Sequence, residues 1–316
     1  MATRPWTVNS GNLNFAGCEW AFAVEAGMAL PKGNLMTVKP EDRAAKDTHY
    51  AKLRRQFRDA KAGGPPPRRE RPATPGSRRP EGLVRLYGIH TVKAALDNPS
   101  RVIRKMLVTR NALERLEIAD AGSLSFPVEI VDPRAIDKET GSDAVHQGVM
   151  IEAEPLAAKP LSALGQTDLL LILDQVTDPH NVGAIMRSAV AFNAGALITT
   201  ARHSPQESGV LAKAASGALE MIPHIEVRNL SDALAEVSAL GFQTIGLDSE
   251  GSVELEGSYS GEKIALVLGA EGKGLRQKTR ETVDTLARLD MPGAIKSLNV
   301  SNAAALSLYA ARKHLG

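Results

Sequence analysis

Apolar and polar positions divide the chain into stretches of different character. Leu169 to Leu173 (LLLIL) is an unbroken apolar run of the length that a strand buried on both faces requires. Ala196 to Thr199, Thr244 to Leu247 and Ala265 to Leu268 read as further strands of the same kind. Between them, Val182 to Phe192, Ser231 to Leu240 and Asn302 to His314 place apolar residues at helical spacing. Strands alternating with helices predict an open α/β domain with a parallel sheet, from about Asp168 to Gly316. Upstream, Leu83 to about Glu154 reads as a smaller α/β unit. It has a helix over His90 to Leu96 (HTVKAAL) and a strand over Val102 to Val108 (VIRKMLV). Asn111 is placed to cap a helix through Ala119, and Val128 to Val131 and Gly148 to Ile151 are short strands. Ala153 to Thr167 connects the two units, and no internal repeat is visible.

The first quarter of the chain lacks such patterning. Met1 to Met36 has weak periodicity and no assignable role. His49 to Ala62 (HYAKLRRQFRDAKA) predicts one short helix, and Gly63 to Gly82 sets six prolines among arginines, a composition for an extended linker rather than a packed core. Charge sharpens the division. The 38 Lys/Arg and 36 Asp/Glu leave a net +2, yet Thr37 to Gly82 alone holds thirteen basic residues against six acidic ones. A basic arm on a near-neutral body suits a polyanion: RNA, DNA or an anionic membrane. The competing reading is a solvated tail with no partner.

Other features exclude whole classes. No stretch approaches the ~20 apolar residues of a membrane span. The apolar run Trp20 to Leu30 is broken by Glu25 and has no clear cleavage site, which reads against a secretory signal. Cys18 is the single cysteine, so neither an internal disulfide nor a thiolate metal cluster can form. The expectation is a cytoplasmic protein without a membrane partner.

Three loops carry the candidate chemistry, each beside a strand end, where open α/β sheets bind ligands. The first runs from Asp174 to Gly183 (DQVTDPHNVG), with Asn181 able to cap the next helix and Arg187 six residues further on. The second, Gly269 to Gly274 (GAEGKG), follows the apolar strand Ile264 to Leu268. It matches neither the Walker pattern nor the dinucleotide fingerprint, and Glu271 in its middle would repel phosphate. The third, Leu289 to Asn302 (LDMPGAIKSLNVSN), packs two serines and two asparagines at a helix start, more polar groups than capping can use.

In this order, the three loops resemble the three motifs of the SpoU (TrmH-like) RNA 2′-O-ribose methyltransferases of the SPOUT superfamily, over Leu83 to Gly316. Tyr87-Gly88-Ile89-His90 and His146-Gln147-Gly148-Val149 resemble the small L30-like RNA-binding domain of the large-subunit rRNA guanosine ribose methylases. Leu289-Asp290-Met291 departs from the family's more usual Ile-Pro-Met. Composition sets apart residues 1–36 (unassigned) and 37–82 (arm and linker), and the resemblance implies 83–157 as an L30-like RNA-binding domain and 158–316 as a methyltransferase domain with a deep trefoil knot. The resemblance also implies S-adenosylmethionine as cofactor, a homodimer, and a structured RNA substrate, a guanosine of 23S rRNA; no metal is expected, because no cluster of His, Cys and Asp has ligand spacing. Ribose methylation of tRNA and a non-catalytic ribosome assembly factor are the alternatives. Carried over by motif, Asn181, Arg187, Glu271, Ser297 and Asn299 are the catalytic set. Leu247, Leu268, Gly269, Gly272, Leu289, Met291 and Leu298 would line the cofactor pocket. The family treats the residue matching Arg187 as central, sometimes as the base. A guanidinium with a pKa above ~12 is a poor proton acceptor, so anchoring a phosphate and stabilising a developing alkoxide suit it better.

Overall fold

Strands with one polar side and strands apolar throughout build two separate sheets in residues 82–316, the part of the chain described in this computed structural model. Residues 1–36, the arm and its predicted helix, and all of the linker but Gly82 lie outside the described residues.

The smaller sheet contains β1 (Val84–Tyr87), β2 (Ile103–Val108), β3 (Val128–Ile130) and β4 (Val149–Ala153), in the order β1-β4-β2-β3. β4 runs antiparallel to both β1 and β2, and β3 lies parallel to β2. α1 (Ile89–Asp97), α2 (Arg110–Arg115) and α3 (Pro133–Thr140) complete the unit. Two expectations need correction here. Asn111 is not the cap: Thr109 is, its hydroxyl accepting the Ala112 N–H from an extended backbone. Nor does the helix reach Ala119, because Leu116 closes it and Glu117 takes a positive φ of 61°.

The larger sheet is wholly parallel. It comprises β5 (Leu169–Asp174), β6 (Ala196–Thr200), β7 (His224–Val227), β8 (Gln243–Leu247), β9 (Val253–Glu254), β10 (Ile264–Gly269) and β11 (Thr285–Arg288), in the order β7-β6-β5-β10-β8-β11-β9. Alternation within β5 explains its composition: Leu169, Leu171 and Leu173 face one apolar layer, while Leu170 and Ile172 face the other. Between strands lie α4 (Pro179–Ala191), the pair α5 (Gly209–Ala215) and α6 (Ala218–Met221), α7 (Leu230–Ala239), α8 (Leu255–Ser258) and α9 (Gln277–Thr282). The chain ends in α10 (Val300–Leu315). α7 covers one face through Leu230, Leu234 and Val237, and α4 and α10 cover the other through Ile185, Ala189, Ala304 and Leu308.

Several elements had no predicted counterpart: β1, β7, β9, β11, α3, α5, α6, α8 and α9. All are short, and their residues alternate or mix polarity too briefly to show a period. The cap predicted at Asn181 is another correction. Asp178 caps α4 by accepting the His180 N–H, Pro179 supplies the preset first helical residue, and Asn181 sits inside the first turn. That shift leaves the Asn181 amide unused by capping.

Candidate active site

All the parallel strands point their C-terminal ends to one side, so the loops after β5, β8, β10 and β11 share one rim. Neighbouring strands bring three predicted cofactor positions together. Leu268, next to last in β10, lies opposite Leu247 of β8, and Leu289 follows β11, which pairs with β8 through Ala287 and Leu247. Leu268 is buried, whereas Leu247 and Leu289 are half-buried and present one apolar edge to the rim. Gly269 allows the second loop to fold back: a Cβ there would stand 2.1 Å from the carbonyl carbon of Gly274. Gly272 adopts φ 75°, which keeps the turn behind Glu271 tight.

The polar centre joins all three loops. One carboxylate oxygen of Glu271, Oε1, accepts from Asn181 Nδ2 at 3.0 Å, Asn299 Nδ2 at 2.6 Å and the Val300 N–H at 3.1 Å. Asn299 Nδ2 also donates to Asn181 Oδ1 at 3.0 Å. The other end of the Asn299 amide caps α10, its Oδ1 accepting the Ser301 N–H. The carboxylate expected to repel phosphate is therefore engaged as a clasp between loops distant in sequence. Arg187 lies six residues beyond Asn181, ~9 Å along α4. It is exposed, and no hydrogen bond or ion pair is seen for it among the described residues.

The other predicted residues are less closely joined. Ser297, Met291 and Leu298 lie in the third loop, which has no regular structure from Leu289 to Asn299; Leu298 is 40% exposed. No backbone hydrogen bond within the chain uses the N–H or C=O groups of Asp290 to Leu298 among the described residues. Lys296 Nζ takes the Met291 carbonyl. Sequence reasoning gave no role to Asp174, a lone carboxylate ending an apolar strand. It is fully buried and accepts from the Arg276 N–H, Arg276 Nε and Thr279 Oγ1, tying the exit of the Glu271 loop to β5. Asp248, just past Leu247, similarly holds Arg280. Polarity at the end of LLLILD was the available signal.

A separate recess of about 870 Å³ lies between the smaller unit and the β6–β7 side of the larger one. Tyr87, Glu139, Met186, Glu207, His224 and Glu226 are among its lining, and none of Asn181, Glu271 and Asn299 is. Burial holds the His224 imidazole below its ordinary range, and its Nε2 lies 2.8 Å from Thr199 Oγ1. Burial also raises the Glu207 carboxyl, outweighing its contacts with Arg101 and the Leu156 N–H. Glu139 there is paired with Arg85, and Glu207 with Arg101. Among the described residues, no group of three or more His, Cys, Asp or Glu is arranged to hold a metal, and no helix is long and apolar enough to cross a membrane.

A parallel α/β domain with a loop-built polar clasp at its strand ends, joined to a small mixed sheet, defines a two-unit α/β ligand-binding protein. Residues 168–309 match the SpoU rRNA Methylase family, and residues 85–158 match the RNA 2′-O ribose methyltransferase substrate binding family. The 23S rRNA (guanosine-2′-O-)-methyltransferase RlmB of Ralstonia nicotianae is 39% identical over 237 residues, covering 72% of this chain and 94% of that protein. RlmB of Pseudomonas putida is 36% identical over 239 residues, covering 72% and 96%. An rRNA methyltransferase from Sinorhizobium meliloti superposes with a TM-score of 0.62 at 26% identity, over 74% of this chain and 88% of that one. The SpoU methyltransferase AviRb from Streptomyces viridochromogenes, solved with AdoMet, shares the fold with the same TM-score of 0.62 at 22% identity, over 74% and 90%. The chain belongs to the SpoU rRNA methylase family.

Proposed function

We propose that this protein methylates a ribose 2′-hydroxyl of 23S rRNA, at a guanosine, with S-adenosylmethionine as donor. The observation that carries the reading is the clasp of Asn181, Glu271 and Asn299, which draws the family's three loops around one point at the strand ends. The residues present fit the cofactor: Leu247 and Leu289 offer an apolar edge beside Leu268, and Asp290 to Leu298, the Met291 carbonyl apart, offer N–H and C=O groups with no backbone partner among the described residues. Gly269, Gly272, Met291 and Leu298 would complete the pocket. When bound, the cofactor supplies a methyl group on a positively charged sulfur.

The chain's own groups then divide the remaining work. Glu271 and the two asparagines hold the loops at fixed separation, so that the hydroxyl meets a preformed site rather than a moving one. Ser297 and Asn299 lie where they can orient the ribose. Arg187 keeps its charge and its donors free, which suits anchoring the phosphate beside the target ribose and stabilising the alkoxide as its proton leaves. Arg202, Arg228 and Lys273 are further exposed cations on loops after β6, β7 and β10, available to neighbouring phosphates.

The finer reading has residues 83–157 as an L30-like RNA-binding domain and 158–316 as a methyltransferase domain ending in a trefoil knot. It is supported by the family resemblance and by the two sheets. A homodimer is supported by Leu306 and Tyr309, 50% and 53% exposed on α10. Leu308 on the same helix is no part of that face, because it is fully buried against the chain's own core with Ala304 and Ala311. A ribosomal RNA substrate supports a cytoplasmic location. Mapping 2′-O-methyl sites in 23S rRNA from cells with and without the gene tests the function. Loss of one guanosine methylation, restored by purified protein and S-adenosylmethionine, is the expected result; an unchanged map refutes it.

A further inference from the structure

Outside the clasp, the most heavily engaged buried charge is Arg101, in the smaller unit. Its side chain is 0% exposed. Nη1 donates to Glu207 Oε1 at 2.7 Å and to the Glu154 carbonyl at 2.8 Å, and Nη2 reaches Glu220 Oε1 at 2.5 Å. Nε donates to the same Glu220 carboxylate at 3.1 and 3.2 Å. Both glutamates belong to the larger unit: Glu207 precedes α5 and Glu220 lies on α6. Neither is spare, since Glu220 also accepts from Asn98 Nδ2 at 2.7 Å and Glu207 from the Leu156 N–H at 2.8 Å. A buried arginine fork with four of its five N–H donors engaged fixes both the distance and the angle between the elements it joins.

What it joins leads back to the active site. α5 touches the smaller unit along its length: Thr91 Oγ1 donates to the Ala212 carbonyl at 3.1 Å, and Lys213 Nζ donates to Gln147 Oε1 at 2.7 Å. At Gly209 an added Cβ would stand 2.5 Å from the Arg85 carbonyl oxygen. On its other side α5 packs against α4, where an added Cβ at Gly183 would stand 2.4 Å from the Leu211 carbonyl oxygen. Gly183 lies between Asn181 and Arg187. The glycine of the first loop thus serves close helix packing, and the helix it receives is the one on which the smaller unit is docked.

We propose that Arg101 is a positioning residue for RNA methylation: by locking the smaller unit onto α5 and α6, it fixes the span between RNA held there and Arg187. This rests on the function proposed above. A rigid bridge turns capture of the RNA at one unit into correct placement of one ribose at the other.

The test uses the full-length protein in a Cys18→Ala background, with spin labels on cysteines replacing the exposed Asp143 and Glu262. The unaltered lock should give one narrow inter-label distance distribution. Arg101→Gln should broaden it and lower kcat/KM on 23S rRNA by roughly 10–100-fold, the scale of a misplacement near 1 Å. S-adenosylmethionine affinity should stay within about twofold, because the cofactor loops lie elsewhere. Arg101→Lys, which keeps the charge without the fork, should recover part of the loss. If Arg101→Gln folds poorly, Asn98→Ala removes a single bond to Glu220 and should broaden the distribution to a smaller degree. A narrow distribution in these variants, or equal losses in cofactor binding and methylation, would overturn the positioning role. A native protein with no 2′-O-methyl product would overturn the proposed function and this role with it. An active native protein with an unaffected Arg101→Gln overturns this role alone.

Discussion

Replacing Asp174 with alanine should cost several kilocalories and loosen the Glu271 loop. The carboxylate is 0% exposed and accepts the Arg276 N–H at 3.0 Å, Arg276 Nε at 2.6 Å and Thr279 Oγ1 at 2.7 Å. These contacts are unequal. The Arg276 side chain is 42% exposed, so water can replace the carboxylate there and the loss is at most ~1 kcal/mol. Thr279 is 1% exposed, and its stranded hydroxyl should cost ~1–3 kcal/mol. The orphaned Arg276 N–H should cost a similar ~1–3 kcal/mol, giving about 4 kcal/mol in all. With an m-value of ~2 kcal/mol/M, the urea midpoint should fall by about 2 M. Thr279→Val offers an internal control, because it removes the hydroxyl that the first substitution strands. The double variant should therefore be more stable than the two single losses added together, by ~1–3 kcal/mol. Methylation should fall by more than the unfolded fraction, since Arg276 directly follows the loop bearing Glu271. A loss under about 1 kcal/mol, or strict additivity, would refute the view of Asp174 as the anchor.

Glu271→Gln keeps an oxygen for three donors but removes its charge; kcat/KM should drop about tenfold, worth ~1.4 kcal/mol, with little change in thermal midpoint. His224→Asn should reduce acid sensitivity. Burial holds the native imidazole below its ordinary 6.5, so the unfolded chain takes the proton first; the stabilisation is complete above about pH 6.5 and is lost as pH falls through the native value. Urea titrations at a series of pH values should show that slope in the parent and a flatter one in the variant. Leu306→Glu with Tyr309→Ser should leave the fold intact, because both side chains are exposed, yet sedimentation should show monomers at concentrations where the parent is dimeric. Deleting Met1 to Glu81 removes an arm with thirteen basic and six acidic residues in Thr37 to Gly82, and should leave the modified nucleotide unchanged. The salt slope of RNA binding should fall by several units at ~0.7–0.9 per lost phosphate contact, and an unchanged slope would make the arm a solvated tail.

The central strands were legible because burial on both faces leaves a plain trace: LLLIL became β5, and the apolar run before the GAEGKG loop became β10. Strands at or next to the edges of the sheet left no such trace. β7 is His-Ile-Glu-Val and β11 is Thr-Leu-Ala-Arg, each four residues with one or both faces half-exposed. The three loops could be found from their polarity and glycines, but their convergence could not, since Asn181 and Asn299 meet only through the order β5-β10-β8-β11 of the sheet. The cap was misplaced for a local reason. Both Asp178 and Asn181 are good capping residues, and Pro179 decides between them by fixing the first helical φ.

That displacement of one cap from Asn181 to Asp178 bears on how the site divides its charges. Had Asn181 capped α4, its side chain would have been turned to the helix's own N–H groups and Glu271 would have lost a partner. Instead the asparagine amide reaches Glu271, whose Oε1 is thereby held by neutral donors rather than by a cation. An arginine or lysine in that role would have used up the positive charge an RNA substrate needs. Meeting the carboxylate with two amides and a backbone N–H leaves Arg187 and Lys273 with their charges directed to solvent. The loops can then be fastened by an acid in a site that must still attract phosphate.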